Sequence, residues 1–222
     1  MFVVHHLENS RSHRVLWALE EVGAAYEIKT YKRNSKTMYA PRELREVHPL
    51  GLSPVVEHRT DAGETVVVAE SGAILEYLAD LYPQLRPTEP TALREARYWL
   101  HFGEATMMPA LLMALVFRRI AGPAVPFFVR PITKVIQSQV MKSFIGPRLT
   151  RQLDMIEAHL AGRDWLAGDA FSLADLQMGY PLLAAGSRGD HGDRPHIKRY
   201  LAALQARPAW QAADRKGGAL VF

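Results

Sequence analysis

The apolar positions of the chain follow two different periods. In the first third, short runs with strand character alternate with stretches of helical spacing. Phe2-Val3-Val4-His5-His6-Leu7 reads as a strand. Arg11 to Val22 follows with Val15, Ala18, Leu19 and Val22 on one helical face and Gly23 as its stop. Ala25 to Tyr31 alternates as a second strand, and a polar, weakly helical stretch runs to about Val47. Pro54 to Glu57 and Glu64 to Ala69, joined across Asp61-Ala62-Gly63, predict a hairpin. Ser71 to Leu81 predicts a helix with Ile74, Leu75 and Leu78 inward. A βαβ unit followed by a ββα unit gives one mixed sheet with helices on both faces.

Past this point no strand pattern appears. Pro83, Pro87 and Pro90 mark a linker, and the organisation read from the chain is 1–82, a linker at 83–91, and an all-helical 92–222. Arg94 to Phe117 predicts a long helix with a bend at Pro109, and Gly122, Pro123 and Pro126 break the chain after it. Pro147 to Leu160 carries Leu149, Leu153, Ile156 and Leu160 at helical spacing. Ser172-Leu173-Ala174-Asp175 reads as a capping box with Asp in place of Glu, and Pro195 to Gln205 as one more helix.

Composition narrows the chemistry. The 222 residues include no cysteine, which excludes disulfides, thiolate metal sites and cysteine nucleophiles. His5 and His6 adjoin on a strand and point to opposite faces, and no HxxxH or HExxH spacing occurs, so no metal site is expected. The longest apolar run, Met107 to Phe117, is too short to span a bilayer, and no signal peptide is visible; a soluble, cytoplasmic protein is expected. The net charge of +4 is uneven: residues 105–153 hold seven basic side chains and no acidic one. That segment would either attract an anionic ligand or form a solvated helix face. It matches no nucleic-acid reader motif, so no nucleic-acid partner is expected.

Four motifs come in order across both halves. They are Ser10-Arg11-Ser12-His13-Arg14 after the first strand, His48-Pro49-Leu50-Gly51-Leu52-Ser53-Pro54 before the third, Glu70-Ser71 at a helix start, and Trp165 to Asp169 leading into Phe171 to Asp175. Together they resemble the glutathione transferases over essentially the whole chain. His5 to Glu27 and Tyr98 to Leu160 look most like the serine-type bacterial and fungal branch. The resemblance implies a thioredoxin-like first domain (βαβ-ββα) that binds glutathione and a helical bundle that contributes the electrophile pocket. It also implies a homodimer, with glutathione as co-substrate and no resident cofactor.

Each site residue has a plain reading beside its functional one. Ser10 would cap the first helix; the resemblance makes it the hydroxyl that serves catalysis, four residues before Arg14. A thiol of pKa near 8.5 needs roughly 2.7 kcal/mol to fall by about two units. A hydrogen bond to the charged sulfur contributes about 1.5–3 kcal/mol and a helix N-terminus about 0.3–1. Asn9 and Ser12 are weaker donor candidates, and no tyrosine follows the first strand to serve instead. The resemblance implies that Ser53-Pro54 is cis and offers the Ser53 backbone to the cysteinyl unit. It further implies that Glu70 and Ser71 hold the γ-glutamyl end, Ser71 at a positive helix end. Where the family often has Lys or Gln for the glycine carboxylate, this chain has Leu52; Arg42, Lys36 and Arg11 are the candidates to replace that contact. Asp175 reads as a folding residue. Tyr98, His101, Phe102, Met107 and Met108, with Trp99, Leu111 and Met113 beside them, are expected to supply a second-substrate pocket, about half of them being core.

The function expected is transfer of the glutathione thiolate to electrophilic, mostly apolar substrates, with peroxide reduction as a further use. A non-catalytic binding protein on the same fold, or a glutathione-dependent isomerase or dehalogenase, is the alternative.

Overall fold

The computed structural model describes all residues except 35, 36, 38, 124, 188–190 and 222. Among the described residues the chain begins β1 (Phe2–Leu7), α1 (His13–Glu21), β2 (Tyr26–Tyr31), α2 (Leu44–Val47), β3 (Val55–Arg59), β4 (Thr65–Ala69) and α3 (Ser71–Leu81). The sheet order is β2-β1-β3-β4, with β1 parallel to β2 and antiparallel to β3, and β3 antiparallel to β4. This is the mixed βαβ-ββα sheet that the apolar periods predict. All six residues of the inner strand β1 are buried, whereas the edge strand β2 alternates half-buried and exposed over its first four residues.

α1 begins two residues later than its apolar spacing suggests. Ser10 to Ser12 form a turn; Ser12 sits at the helix start without a side-chain cap, and the Ser10 hydroxyl accepts from the Ser12 N–H at 3.2 Å. The helix stops at Gly23, which has φ +65° and suits the left-handed turn that follows a helix end.

A 3₁₀ turn (Pro83–Leu85) and then α4 (Pro90–His101), α5 (Met108–Ile120), α6 (Arg130–Val140), α7 (Gly146–His159), α8 (Leu173–Gly186), α9 (Pro195–Ala206) and α10 (Pro208–Gly217) complete the described elements. α4 starts inside the stretch read as linker, with the Glu89 carboxylate accepting from the Ala92 N–H. The bend expected at Pro109 takes a specific form. Phe102–Met107 is a π-helical turn, which widens the ladder ahead of a residue that cannot donate to it. Met141–Ile145 does the same ahead of Pro147. The run Pro90–Ile120 is, by length and composition, apolar enough to cross a bilayer. Its buried side chains, among them Trp99, Leu100, Met107 and Leu111, lie in the shared hydrophobic core.

α6 and α10 have no counterpart in the pattern of the sequence. α6 buries none of its residues and leaves Ile132, Val135 and Ile136 exposed, so no core stripe marks it. α10 buries only Trp210 and Ala213, and docks on α1 through Trp210 against Trp17 and a His13–Asp214 pair at 2.6 Å. α8 is buried nearly all round and forms the axis of the helical half. Its start is the expected capping box, and Asp175 accepts from Leu166 N–H (3.0 Å), Ser172 N–H (2.8 Å) and Tyr200 O–H (2.8 Å). Full burial raises the Asp175 carboxyl to about 6, against those hydrogen bonds. That agrees with its reading as a folding residue.

Candidate active site

A cleft of about 390 Å³ opens between the sheet and the helical half, lined by Ser10, Leu52, Ser53, Pro54, Glu70 and Ser71 among others. The chain delivers these residues from three junctions: the turn after β1, the approach to β3, and the β4–α3 corner.

The Ser53–Pro54 peptide is cis. The Ser53 hydroxyl donates to the His5 carbonyl at 2.8 Å and accepts from Leu7 N–H at 3.2 Å, which ties the loop to β1. Glu70 has φ +72° without being glycine. An outlier of this kind at a strand-to-helix corner is held by its surroundings and is a common mark of a ligand site. Ser71 is the first residue of α3, and its Oγ accepts from Arg14 Nη1 at 3.2 Å. The unpaired N–H groups at the start of α3 and the Ser71 hydroxyl suit a carboxylate.

Ser10 lines the cleft but is only 4% exposed. Its Oγ lies 2.8 Å from Ser12 Oγ and accepts from Ser12 N–H at 3.2 Å. The two weaker donor candidates face elsewhere. Asn9 is spent on Val221 near the chain end, and Ser12 points into the core.

Several of the lining residues carry no local signal in the sequence. Glu104, in the π-helical turn, reaches the cleft and pairs with Arg11 (3.0 Å) and with the fully buried Arg14 (2.9 Å). Arg14 also donates to Gln177 Oε1 on α8, so one guanidinium joins both halves behind Ser71. Tyr180 of α8 lines the cleft, with the Arg14 guanidinium 5.1 Å from its ring centre. Arg33 and His48 also line the cleft, as does the exposed Leu52. Of the residues expected to replace the contact that Leu52 lacks, Arg11 lines the cleft but is held by Glu104, Arg42 does not line it, and Lys36 lies outside the described residues.

The residues expected to supply a second-substrate pocket lie apart from this cleft. Tyr98, His101 and Phe102 line a separate hollow with Arg94 and Arg97, Met107 is fully buried in the core, and Met108 is half-buried. None of the five lines the cleft. The π-helical turn that follows α4 supplies Glu104 to the cleft instead. The seven basic residues of 105–153 also stay out of the cleft, and none of them is buried, which favours the solvated-face reading.

Comparison with known proteins gives the same outline. Residues 1–80 match the family model for the N-terminal domain of glutathione S-transferase, and residues 120–208 that for its C-terminal domain. The chain is 37% identical to glutathione S-transferase 3 of Schizosaccharomyces pombe, over 97% of this chain and 88% of that protein. Glutathione S-transferase 1 of Saccharomyces cerevisiae is 27% identical over 98% and 95% of the two chains. Among solved structures, a glutathione S-transferase from Actinobacillus pleuropneumoniae is similar with TM-score 0.77 and 33% identity, covering 99% of this chain and 94% of that one. A glutathione transferase family member from Pseudomonas fluorescens, solved with two glutathione bound, is similar with TM-score 0.75 and 26% identity, covering 96% and 91%.

Proposed function

The chain belongs to the glutathione S-transferase family, and from that premise we propose that it transfers the thiolate of glutathione to electrophilic, mostly apolar substrates. The observation that carries the reading is the convergence on one cleft of the Ser10 hydroxyl, the Ser53–Pro54 loop and the Glu70–Ser71 helix start. Glutathione lies along the cleft with its γ-glutamyl carboxylate at the N-terminus of α3 and Ser71, and its ammonium at Glu70. The Ser53 backbone pairs with the cysteinyl unit in the manner of an added strand. Arg33 and His48 take the glycine carboxylate that Leu52 cannot hold. Ser10 stabilises the sulfur as thiolate, and catalysis is lowering of the thiol pKa plus proximity. Tyr180 offers the electrophile an aromatic wall.

In this reading residues 1–82 bind glutathione, 83–91 connect, and 92–222 complete the electrophile side. The protein works in the cytoplasm as a homodimer. Exposed Val67 on edge strand β4, with Tyr98, Leu112 and Val116 along Pro90–Ile120, supplies apolar surface for a second copy to cover. The test is steady-state conjugation of a panel of electrophiles by the native protein and Ser10→Ala. The variant should lose rate and keep glutathione binding, and an unchanged pH–rate profile would remove Ser10 from the mechanism. Saturable glutathione binding without turnover of any electrophile or peroxide would favour the non-catalytic alternative.

A further inference from the structure

Behind Ser10 a file of hydrogen bonds runs from the cleft into the core. Ser10 Oγ lies 2.8 Å from Ser12 Oγ, Ser12 Oγ lies 2.8 Å from His6 Nδ1, and His6 Nε2 lies 2.8 Å from the Gly217 carbonyl at the end of α10. Ser12 and His6 are sealed, at 0% and 1% exposure; Ser10 is the member that lines the cleft. At the far end a Cβ on Gly217 would collide with Leu16 Cδ1 and lie 3.1 Å from His6 Cε1, so a larger residue there would have to shift both side chains.

The far end sets the direction of the whole file. A carbonyl only accepts, so His6 Nε2 carries a hydrogen, and a neutral imidazole then has a lone pair at Nδ1. Burial lowers the proton affinity of His6 below the usual histidine range, against the Gly217 carbonyl and the charge of Glu8, so with no thiolate in the cleft the ring is neutral near pH 7. Ser12 therefore donates to Nδ1, and the Leu7 carbonyl at 3.2 Å is the longer competitor. With its proton committed, Ser12 Oγ accepts from Ser10. In this arrangement Ser10 shows the cleft a lone pair, which can receive a thiol proton but cannot stabilise a thiolate.

Resting on the glutathione transfer read above, we propose that Ser10, Ser12 and His6 form a relay that takes the glutathione thiol proton inward and holds it on His6 while the thiolate is present. The S–H bond breaks and its proton joins Ser10 Oγ. The original proton of Ser10 passes to Ser12 Oγ, and that of Ser12 to His6 Nδ1. Each serine keeps one proton, and a neutral thiol and imidazole become a thiolate and an imidazolium. Every hydrogen bond in the file now points the other way, and Ser10 donates to the sulfur. Ser12 and His6 act through Ser10 and are positioning residues. The charged or titratable groups near His6 are Glu8, which favours the imidazolium, and His13 on α1, whose ring is bonded to Asp214 of α10. Burial lowers the His13 pKa as well, so its opposing charge is absent near neutral pH.

The test records the ultraviolet band of the thiolate and the proton release together, mixing the full chain with glutathione in weak buffer containing a pH indicator. The relay predicts thiolate formed with well under one proton released per thiolate. Ser12→Ala should raise the thiol pKa by about one unit or more, roughly a tenfold loss of thiolate per unit below the pKa. Whatever thiolate it forms should release a full proton. His6→Asn keeps an acceptor for Ser12 but no base and should behave as Ser12→Ala does, while Ser12→Thr keeps the hydroxyl and should restore the native ratio. If His6→Asn does not fold, the Ser12 pair decides. One proton released per thiolate by the native protein overturns the relay and leaves transfer through Ser10 standing. Bound glutathione with no thiolate band overturns both.

Discussion

The clusters around Ser10 and Asp175 lie in different halves of the molecule and use the same materials, buried serine hydroxyls beside a titratable side chain. Around Asp175 every strand of the network ends inside the core: two backbone N–H groups, the Tyr200 hydroxyl and Ser172. Around Ser10 the network is tied at one end, to the Gly217 carbonyl, and meets a cleft at the other. A closed polar cluster gives stability, because opening it strands buried donors. A cluster with one free end keeps capacity for a ligand. The comparison predicts that substitutions in the first cluster act on folding and those in the second on chemistry.

The largest effect should come from Asp175→Ala, which strands the Leu166 and Ser172 N–H groups and the Tyr200 hydroxyl. The expected loss is about 3 kcal/mol or more, a fall of roughly 6–12 °C in Tm for a chain of this size. Calorimetry checks it, and a change no larger than that of a surface substitution would break the comparison on its structural side. Ser10→Ala comes next, with a loss of about 10- to 100-fold in conjugation rate at neutral pH and a nearly unchanged Tm.

The pH dependence of stability sharpens the contrast further. The Asp175 carboxyl is raised from 3.8 to about 6, so between those values the folded state holds a proton that the unfolded state has released. Its contribution is fully present below about pH 4 and is lost as pH rises through about 6. The Tm difference between native protein and Asp175→Asn should therefore widen in favour of the native protein as pH falls across that window; a constant difference would contradict it. The smallest effect is Leu52→Lys. A cation at the exposed rim should lower the KM for glutathione a few-fold, in keeping with about 0.2–1 kcal/mol for an exposed charge pair, and leave kcat unchanged.

What the sequence announces and what it hides divide along the same lines. The order of elements through α3 was legible because each carries its own period, and Ser172-x-x-Asp175 because a capping box is local. The cleft residues Ser10, Leu52 to Pro54 and Glu70-Ser71 were legible as junction motifs. The start of α1 was not, because Ser10 to Ser12 form a turn whose hydroxyls bond to each other and to His6 ahead of the helix. α6 lacks a buried stripe, and α10 is held by partners on α1 some 200 positions away, among them His13 with Asp214. The residues expected for the electrophile pocket lie apart from the cleft. Glu104, in the π-helical turn before Pro109, lines the cleft, whereas Tyr98, His101 and Phe102 line a separate hollow. Tyr180 and Arg33 reach the cleft by tertiary packing, which no spacing rule encodes.

The central claim is that the Ser10 hydroxyl at the cleft lowers the pKa of bound glutathione. The most direct test is a pH titration of the thiolate ultraviolet band of glutathione bound to the native protein and to Ser10→Ala. The account predicts a thiolate band already present below pH 7 in the native protein, an apparent pKa well under the free value of about 8.5, and in the variant a band that appears only toward that free value. A native pKa that stays near the free value, or a lowered one that Ser10→Ala leaves in place, would contradict it.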